Sequence, residues 1–259
     1  MHLRLFRAFL AAVCIASAGV AASKLLGQVP GPGDQVAVSG TAVTTGSANN
    51  RPINTGATVA TSVSADSEAD YEVVAYKPQN PKDVRVSVSL SKQQVYVMEG
   101  ERCLMAAACN IGVPAKPTPK GHFKIMEKIP NKRSGTYGFQ VSNGKITPCL
   151  AATCHGVYVG YPLPFWCGFA PGYGFHQGYV WPAPRTHGLI RLDKQAAPRF
   201  FELVQTGTPV DIADTQPEDA TVGQNVQRPT DYQDPDLPPE FMVGPGPFQR
   251  PPGTLLIDQ

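Results

Sequence analysis

The chain has 259 residues, enough for one sizeable domain or two small ones, and its formal net charge is +2 at pH 7. So small a charge gives no strong field for an anionic membrane surface or for nucleic acid, and we predict no nucleic-acid partner. The 25 Gly and 26 Pro are too many for a wholly compact chain and cluster outside its middle, which indicates one folded core with soft flanks.

The N-terminus, residues 1–22, has the layout of a secretory signal peptide. Arg4 and Arg7 precede an apolar run that begins at Ala8 and ends near Val20, and small residues follow it. The alternative is an uncleaved anchor helix, but the run is short for a bilayer span of about 20 residues. We therefore predict export to the periplasm or the cell envelope.

The two flanks differ in composition from the middle of the chain. Residues 23–82 are mostly rich in Ser, Thr, Ala, Gly and Val and contain few large side chains, so we predict a flexible linker. Residues 215–259 contain repeated prolines that oppose regular structure, and we predict a disordered tail; wrapping around the domain and binding of a partner are the alternatives. The folded domain is predicted at residues 83–214.

Most of this domain is predicted to form β-strands. Apolar and polar residues alternate from Val84 to Leu90 and again around residues 95–97, and Gly100 lies in the turn that follows. Shorter apolar stretches predict further strands at residues 122–129, 156–161 and 208–212. One helix is predicted within residues 192–207, with an apolar stripe of Phe200, Phe201, Leu203 and Val204.

Five cysteines remain after removal of the signal peptide: Cys103, Cys109, Cys149, Cys154 and Cys167. In an oxidising compartment, pairs among them can form disulfides. Cys149 and Cys154 are close enough in sequence to staple one loop, and the other pairings stay open. Because the spacing lacks the paired short repeats of a zinc site, we predict no metal site, and nothing indicates a cofactor.

Three separated stretches of the domain resemble the L,D-transpeptidase (YkuD-type) catalytic domain family, which builds and remodels peptidoglycan cross-links. The first is VSVSLSKQQVYVMEGER, and the second contains Thr-Pro-x-Gly-x-Phe and Ser-x-x-Tyr-Gly within residues 109–138. The third, residues 164–193, has His176 and, eleven residues later, His187 in Thr-His-Gly-Leu-Ile-Arg-Leu. The shared order and spacing imply an L,D-transpeptidase-like β-sandwich or mixed sheet with one helix.

The resemblance also implies a role for each matched residue. His176 would be the general base, and His187 and Gly188 would shape the turn and its oxyanion donors. Arg191 would fix the loop or a substrate carboxylate. The implied substrate-binding residues are Tyr179 and Thr186, the latter in the place of the family's usual serine.

Leu189 occupies the position of the family's nucleophilic cysteine. In that family a thiolate attacks a stem-peptide carbonyl and forms an acyl-enzyme, which an amine then resolves. An isobutyl group can neither attack nor exchange a proton. We therefore predict a pseudoenzyme that engages peptidoglycan stem peptides without standard transpeptidase activity, and whose proline-rich tail is a candidate contact for other cell-wall enzymes.

An active enzyme is the alternative to this prediction. It would act on peptidoglycan through a relocated thiol, for which Cys167 is the candidate, or would catalyse another reaction on the cell wall. A different interpretation of Cys167 is that it fills a small apolar space in the core.

Overall fold

The computed structural model describes residues 71–233 and 237–259. The predicted signal peptide (residues 1–22) and residues 23–70 of the predicted linker lie outside the described residues. Within the described residues a 10-stranded mixed sheet is accompanied by two α-helices and several short 3-10 helices. The predicted mainly β fold is confirmed, with one short helix more than expected.

The strands and helices have the following bounds. The strands are β1 (Val84–Ser89), β2 (Gln94–Glu99), β3 (Arg102–Asn110), β4 (Gly121–Lys124), β5 (Glu127–Ser142), β6 (Lys145–Leu150), β7 (Val157–Ala170), β8 (Tyr173–Gln177), β9 (Ile190–Leu192) and β10 (Pro209–Ala213). The helices are α1 (Ala196–Leu203) and α2 (Pro239–Val243). The order across the sheet is β4-β10-β1-β2-β3-β9-β8-β7-β5-β6.

The first half of the sheet follows from the alternating sequence at the start of the domain. β1 and β2 pair antiparallel with Val86 opposite Val97, and β3 continues the meander. Gly100 lies in the tight turn between β2 and β3 with φ +58, a conformation that glycine adopts at little cost. β10 returns from the end of the domain to lie parallel to β1.

The second half of the sheet carries the site. β9 pairs antiparallel with β3 and parallel with β8, so these central strands hold residues from distant parts of the sequence side by side. β8 pairs antiparallel with β7, and β7 with β5. Beyond β7, β5 and β6 form a hairpin, called here the β5–β6 arm (residues 127–150).

Helix α1 covers the core face of the second half. Phe200 is fully buried with its ring centroid 4.5 Å from that of Phe175, and Phe201 lies 5.9 Å from Phe165. Burial of each such side chain contributes about 1.5–3 kcal/mol. The predicted apolar stripe is therefore confirmed. The helix itself ends at Leu203, earlier than the glycine that was expected to stop it.

The predicted linker is shorter than expected, because its last residues pack on the domain. Val73 and Ala75 are 3% and 2% exposed. The Tyr76 amide donates a hydrogen bond of 2.9 Å to the Leu104 carbonyl at the edge of β3. Residues 71–82 therefore belong to the folded unit.

The structure also corrects the prediction of a disordered tail. Glu218 is buried and forms an ion pair of 2.7 Å with Arg85 on β1. The guanidinium of Arg228 donates hydrogen bonds to four backbone carbonyls, those of Lys92, Gln93, Cys109 and Trp181. The tail is thus held to the sheet by buried and partly buried polar contacts, which composition does not reveal.

Two prolines of the tail lie in the first turn of short helices, although proline was expected to oppose regular structure there. Pro217 lies in the first turn of a 3-10 helix and Pro239 in the first turn of α2, positions where a missing N–H costs nothing. Arg133 of β5 donates to the carbonyls at the end of α2, those of Met242, Val243 and Gly244. None of the helices within residues 71–233 and 237–259 has the length and apolar character needed to cross a membrane.

Candidate functional site

The parallel pairing of β8 and β9 brings two of the predicted site residues together. His176 lies opposite Arg191, with Phe175 opposite Ile190 one step earlier. Because side chains alternate between faces, His176 and Arg191 project from one face of the sheet, while Phe175 and Ile190 project into the core. Leu189 immediately precedes β9, next to Ile190.

His176 is a neutral, fixed imidazole. It is 2% exposed, and its Nδ1 lies 2.8 Å from the Gln177 carbonyl, so Nδ1 carries the proton and donates it there. This tautomer leaves the lone pair on Nε2, the atom that a general base needs. Burial, and next the positive charge of Arg191, lower the pKa of His176 to about 3.

The turn before β9 is held by hydrogen bonds of Thr186 to the backbone, and it requires a glycine at position 188. The Thr186 hydroxyl donates to the Leu189 carbonyl at 2.6 Å, and the Thr186 amide donates to Ile111 at 3.0 Å. Thr186 is 4% exposed, so its hydroxyl closes the turn, and the substrate-binding role expected for it does not fit this geometry. Gly188 has φ +94, and a Cβ there would lie 2.6 Å from the ring of Tyr173.

Asn110, at the end of β3, positions the loop that leads into this turn. Its side-chain amide donates to the carbonyls of Trp181 (3.1 Å) and Ala183 (2.6 Å), and its Oδ1 accepts from the Arg185 amide at 3.1 Å. Asn110 is fully buried, so each of these bonds also satisfies a polar group that water does not reach. The sequence analysis missed this residue, because a single asparagine after a strand carries no distinctive signal.

Arg191 lies against an aromatic wall and keeps one donor unused. Its guanidinium carbon is 5.6 Å from the ring centroid of Trp181, and that of Arg185 is 4.7 Å from the same ring. The Nε of Arg191 is buried and has no hydrogen-bond partner among the described residues. An orphaned, charged donor of this kind favours an external acceptor such as a carboxylate. Tyr179 packs edge-on against Trp181, with ring centroids 5.6 Å apart, and so supports the same wall.

The β5–β6 arm reaches the site through Tyr137. Its ring centroid is 5.1 Å from that of His187, and its hydroxyl accepts a hydrogen bond of 2.8 Å from Lys116. Partial burial, then the charges of Lys116 and Arg191, lower the pKa of His187. Tyr137 belongs to the Ser-x-x-Tyr-Gly segment, which was the available signal, but its contact with His187 depends on the arm's three-dimensional path.

Cys167 lies on the opposite face of the sheet from His176. It pairs with Phe175 and is fully buried in the hydrophobic core. Burial raises the pKa of its thiol to about 12, despite an opposing effect of Lys128. These contacts fit a core cysteine, and they separate the sulfur from the base that a relocated nucleophile would need.

No group of three or more His, Cys, Asp or Glu side chains within the described part of the chain is arranged to hold a metal ion. The site's own chemistry therefore consists of a neutral imidazole, a half-exposed imidazole and several cationic donors around a tight glycine turn. Such a constellation can bind an anionic, amide-rich ligand.

The comparisons with known proteins agree with this combination of mixed sheet and His-Gly turn. The sequence model of the L,D-transpeptidase catalytic domain (YkuD) matches residues 83–212, half of the chain. The chain therefore belongs to the L,D-transpeptidase catalytic domain (YkuD) family. No curated protein sequence matches it.

Solved structures of L,D-transpeptidases are among its structural matches. The protein from Stackebrandtia nassauensis is 20% identical with a TM-score of 0.39, and the match covers 55% of this chain and 60% of that one. The L,D-transpeptidase from Mycobacterium smegmatis is 17% identical with a TM-score of 0.39, and the match covers 51% of this chain and 58% of that one. A mutant of the Enterococcus faecium L,D-transpeptidase is 24% identical with a TM-score of 0.38, and the match covers 51% of this chain and 50% of that one. The chain thus covers less than two thirds of each of these structures.

Proposed function

We propose that this protein engages peptidoglycan stem peptides at the face of His176 and Arg191 without catalysing standard transpeptidation. The observation that carries the proposal is Leu189, which stands between an assembled His-Gly turn and Arg191 where the family resemblance expects the nucleophilic cysteine. The His176–Gln177 hydrogen bond and the Gly188 turn support a preserved frame around it. The tautomer of His176 leaves a lone pair on Nε2, but Leu189, which precedes Ile190, has no thiol for it to deprotonate.

The charges of the site support a peptide ligand with carboxylates. Lys116 and Arg191 lie close enough to His187 to lower its pKa, so three basic side chains converge on one turn. Arg191 contributes the buried Nε that lacks a partner among the described residues. Stem peptides offer carboxylates and amides, which are the acceptors that these donors require.

The proposal places the protein in the periplasm or cell envelope, where such peptides occur. The signal-peptide layout of residues 1–22 supports that location. A contact between residues 215–259 and other cell-wall enzymes stays a prediction, and the surface available for it is reduced because much of this segment is packed on the domain.

Restoring the thiol tests whether the frame is still competent. Leu189→Cys should acquire a covalent adduct from a carbapenem or a disaccharide-tetrapeptide donor, because His176 would then have a proton to accept. Intact-protein mass spectrometry measures the adduct, and Leu189→Ala is the matched control. A folded Leu189→Cys variant that stays unmodified would contradict the preserved frame.

Binding by the unmodified protein is the second test. Titration with a disaccharide-tetrapeptide, followed by calorimetry or NMR, should give saturable affinity that falls about tenfold or more in Arg191→Ala, since one charge-assisted contact is worth roughly 1.5–3 kcal/mol. Affinity should also fall in His187→Gln. Arg199→Ala, on α1, is the matched control for Arg191→Ala, and His155→Gln, on the surface, is the matched control for His187→Gln. Absence of binding at millimolar ligand would overturn the proposal.

The alternative of a relocated thiol predicts a different result. In that case the wild-type protein itself would form the adduct, and Cys167→Ala would abolish it. The burial of Cys167 on the core face supports the non-catalytic assignment.

A further inference from the structure

Two cysteines of the β5–β6 arm and the turn after it lie beside each other, next to the strand that carries Tyr137. The sulfurs of Cys149 and Cys154 are 2.6 Å apart, and both residues are half-buried. Cys149, near the end of β6, lies opposite Gly138, and the next pair along the ladder is Tyr137 with Leu150. The backbone of Cys149 is therefore one ladder position away from the pair that contains Tyr137, the residue that contacts the site.

Cys154 is held near the same strand by contacts of its own. The amide of His155 donates to Oε1 of Gln140 at 2.8 Å, and this oxygen lies 3.9 Å from the Cys154 sulfur. Only residues 150–153, which include the 3-10 helix Ala151–Thr153, separate the two cysteines. A bond between them would thus close a short loop against β5.

We propose that Cys149 and Cys154 form a reversible dithiol–disulfide pair that fixes the β5–β6 arm against the His-Gly turn. The chemistry is exchange with an external low-molecular-weight disulfide. The thiolate of one cysteine attacks that disulfide and releases a thiol; the second thiolate then attacks the protein sulfur of the mixed disulfide and releases another thiol. The protein loses two electrons and two protons, and the external disulfide gains them.

The effect of this disulfide on the site follows from the pairing of β5 with β6. A bond from Cys149 to Cys154 restrains Leu150, which pairs with Tyr137, and Tyr137 contacts His187 and Lys116. The oxidised arm should hold the Tyr137 ring over His187 more persistently than the reduced arm. The buried cysteines of the core, Cys109 and Cys167, do not compete for this bond.

The bond itself is tested by treating the full-length protein with oxidised glutathione and digesting it with chymotrypsin. Cleavage after Phe139, Leu150 and Tyr158 would give peptides 140–150 and 151–158, which should appear joined, lighter by two hydrogen atoms than their sum, and should separate on addition of a dithiol reductant. Cys149→Ser and Cys154→Ser should each abolish the joined species, and Cys103→Ser should retain it. Failure to find the joined peptides would overturn the proposal.

Hydrogen exchange of the backbone amides tests the link to the site without any ligand. Amides at Tyr137, Leu150 and His187 should exchange more slowly in the oxidised than in the reduced protein, and the difference should vanish in Cys154→Ser. Unchanged exchange at His187 in a protein shown to be cross-linked would overturn the coupling. Because neither readout uses a stem peptide, both outcomes are independent of the proposed function.

Discussion

At the scale of single residues, the site depends on a histidine that never becomes charged near neutral pH. His176 is enclosed by the sheet and faces Arg191, and both conditions disfavour the imidazolium. The lone pair on Nε2 is therefore unprotonated at neutral pH, and the same environment makes this imidazole a weak base. The residue at the position of the family's cysteine is Leu189, whose side chain has no acidic proton to give.

The depressed pKa of His176 predicts a loss of stability in mild acid. The unfolded chain protonates this residue below about pH 6.5, whereas the folded protein does so only near pH 3, so the free energy of unfolding falls as pH decreases between these values. Between pH 7 and pH 5 this single group should cost about 2 kcal/mol. Urea unfolding at both pH values should show a drop smaller by about that amount in His176→Gln than in the wild type.

The exposed His155 provides the control for this measurement. His155→Gln should keep the wild-type pH dependence, because the His155 side chain is exposed and takes no part in the site. An equal drop in the wild type and His176→Gln would show that His176 titrates normally and is open to solvent.

At the scale of elements, the turn before β9 tolerates little change at Gly188. Gly188 combines a left-handed backbone with a close contact to Tyr173, while Gly207 has nearly the same φ, +96, but no atom within 4 Å of the place where a Cβ would lie. A substitution at Gly207 therefore reports the cost of backbone strain alone, and one at Gly188 reports strain together with steric overlap.

Replacement by alanine at both positions measures this difference. Gly207→Ala should cost about 1–2 kcal/mol from backbone strain alone, and Gly188→Ala should cost roughly 1–3 kcal/mol more because Tyr173 must move. Chemical denaturation gives both values. Equal costs would mean that the turn has room beside Tyr173 and that its glycine is required only for φ.

The elements also show which parts of the fold are predictable from the sequence. β1, β2 and α1 were predicted correctly, because each is long enough to display its period of apolar residues. β9 contains three residues, too few to show a period, and its position was indicated only by the resemblance around His187. The path of β5 was not predictable, since most of its residues are partly exposed and its register shifts between Arg133 and Gly138.

The residues of the site can likewise be separated into those that were expected from the sequence and those that were not. His176 and Arg191 were expected from the family resemblance, and the pairing of β8 with β9 brings them together. Asn110 and Tyr137 act through contacts across more than 20 residues of sequence, with the loop after Trp181 and with His187, and no local pattern contains such information.

At the scale of the whole molecule, the C-terminal segment was expected to be a disordered tail, but its described part packs on the domain. Arg228 reaches the loop after β1, the end of β3 and the wall of the site at Trp181, where Tyr232 also packs at 5.9 Å. Loss of this guanidinium would remove four hydrogen bonds to backbone carbonyls, of which those of Gln93 and Trp181 would each keep another donor. The stability of the site's wall is therefore linked to a residue outside the matched family region.

Arg228→Ala tests this link. It should lower the free energy of unfolding by about 2–4 kcal/mol, because hydrogen bonds to a charged group are lost at a partly buried position. Arg250→Ala, at an exposed arginine of the same segment, should change it by less than about 0.5 kcal/mol. Limited proteolysis followed by mass spectrometry should show faster cleavage within residues 215–233 in Arg228→Ala only.

The contact between the two ends of the described domain has a further consequence. Ile257 accepts a hydrogen bond from the Lys77 amide and donates one to Ala75, both of 2.9 Å, so the two ends of the described chain lie side by side. Neighbouring ends make a fold suitable for circular permutation. A short connection from residue 259 to residue 71, with new ends at the exposed Gly172 turn, would preserve every strand while moving the chain ends next to β8.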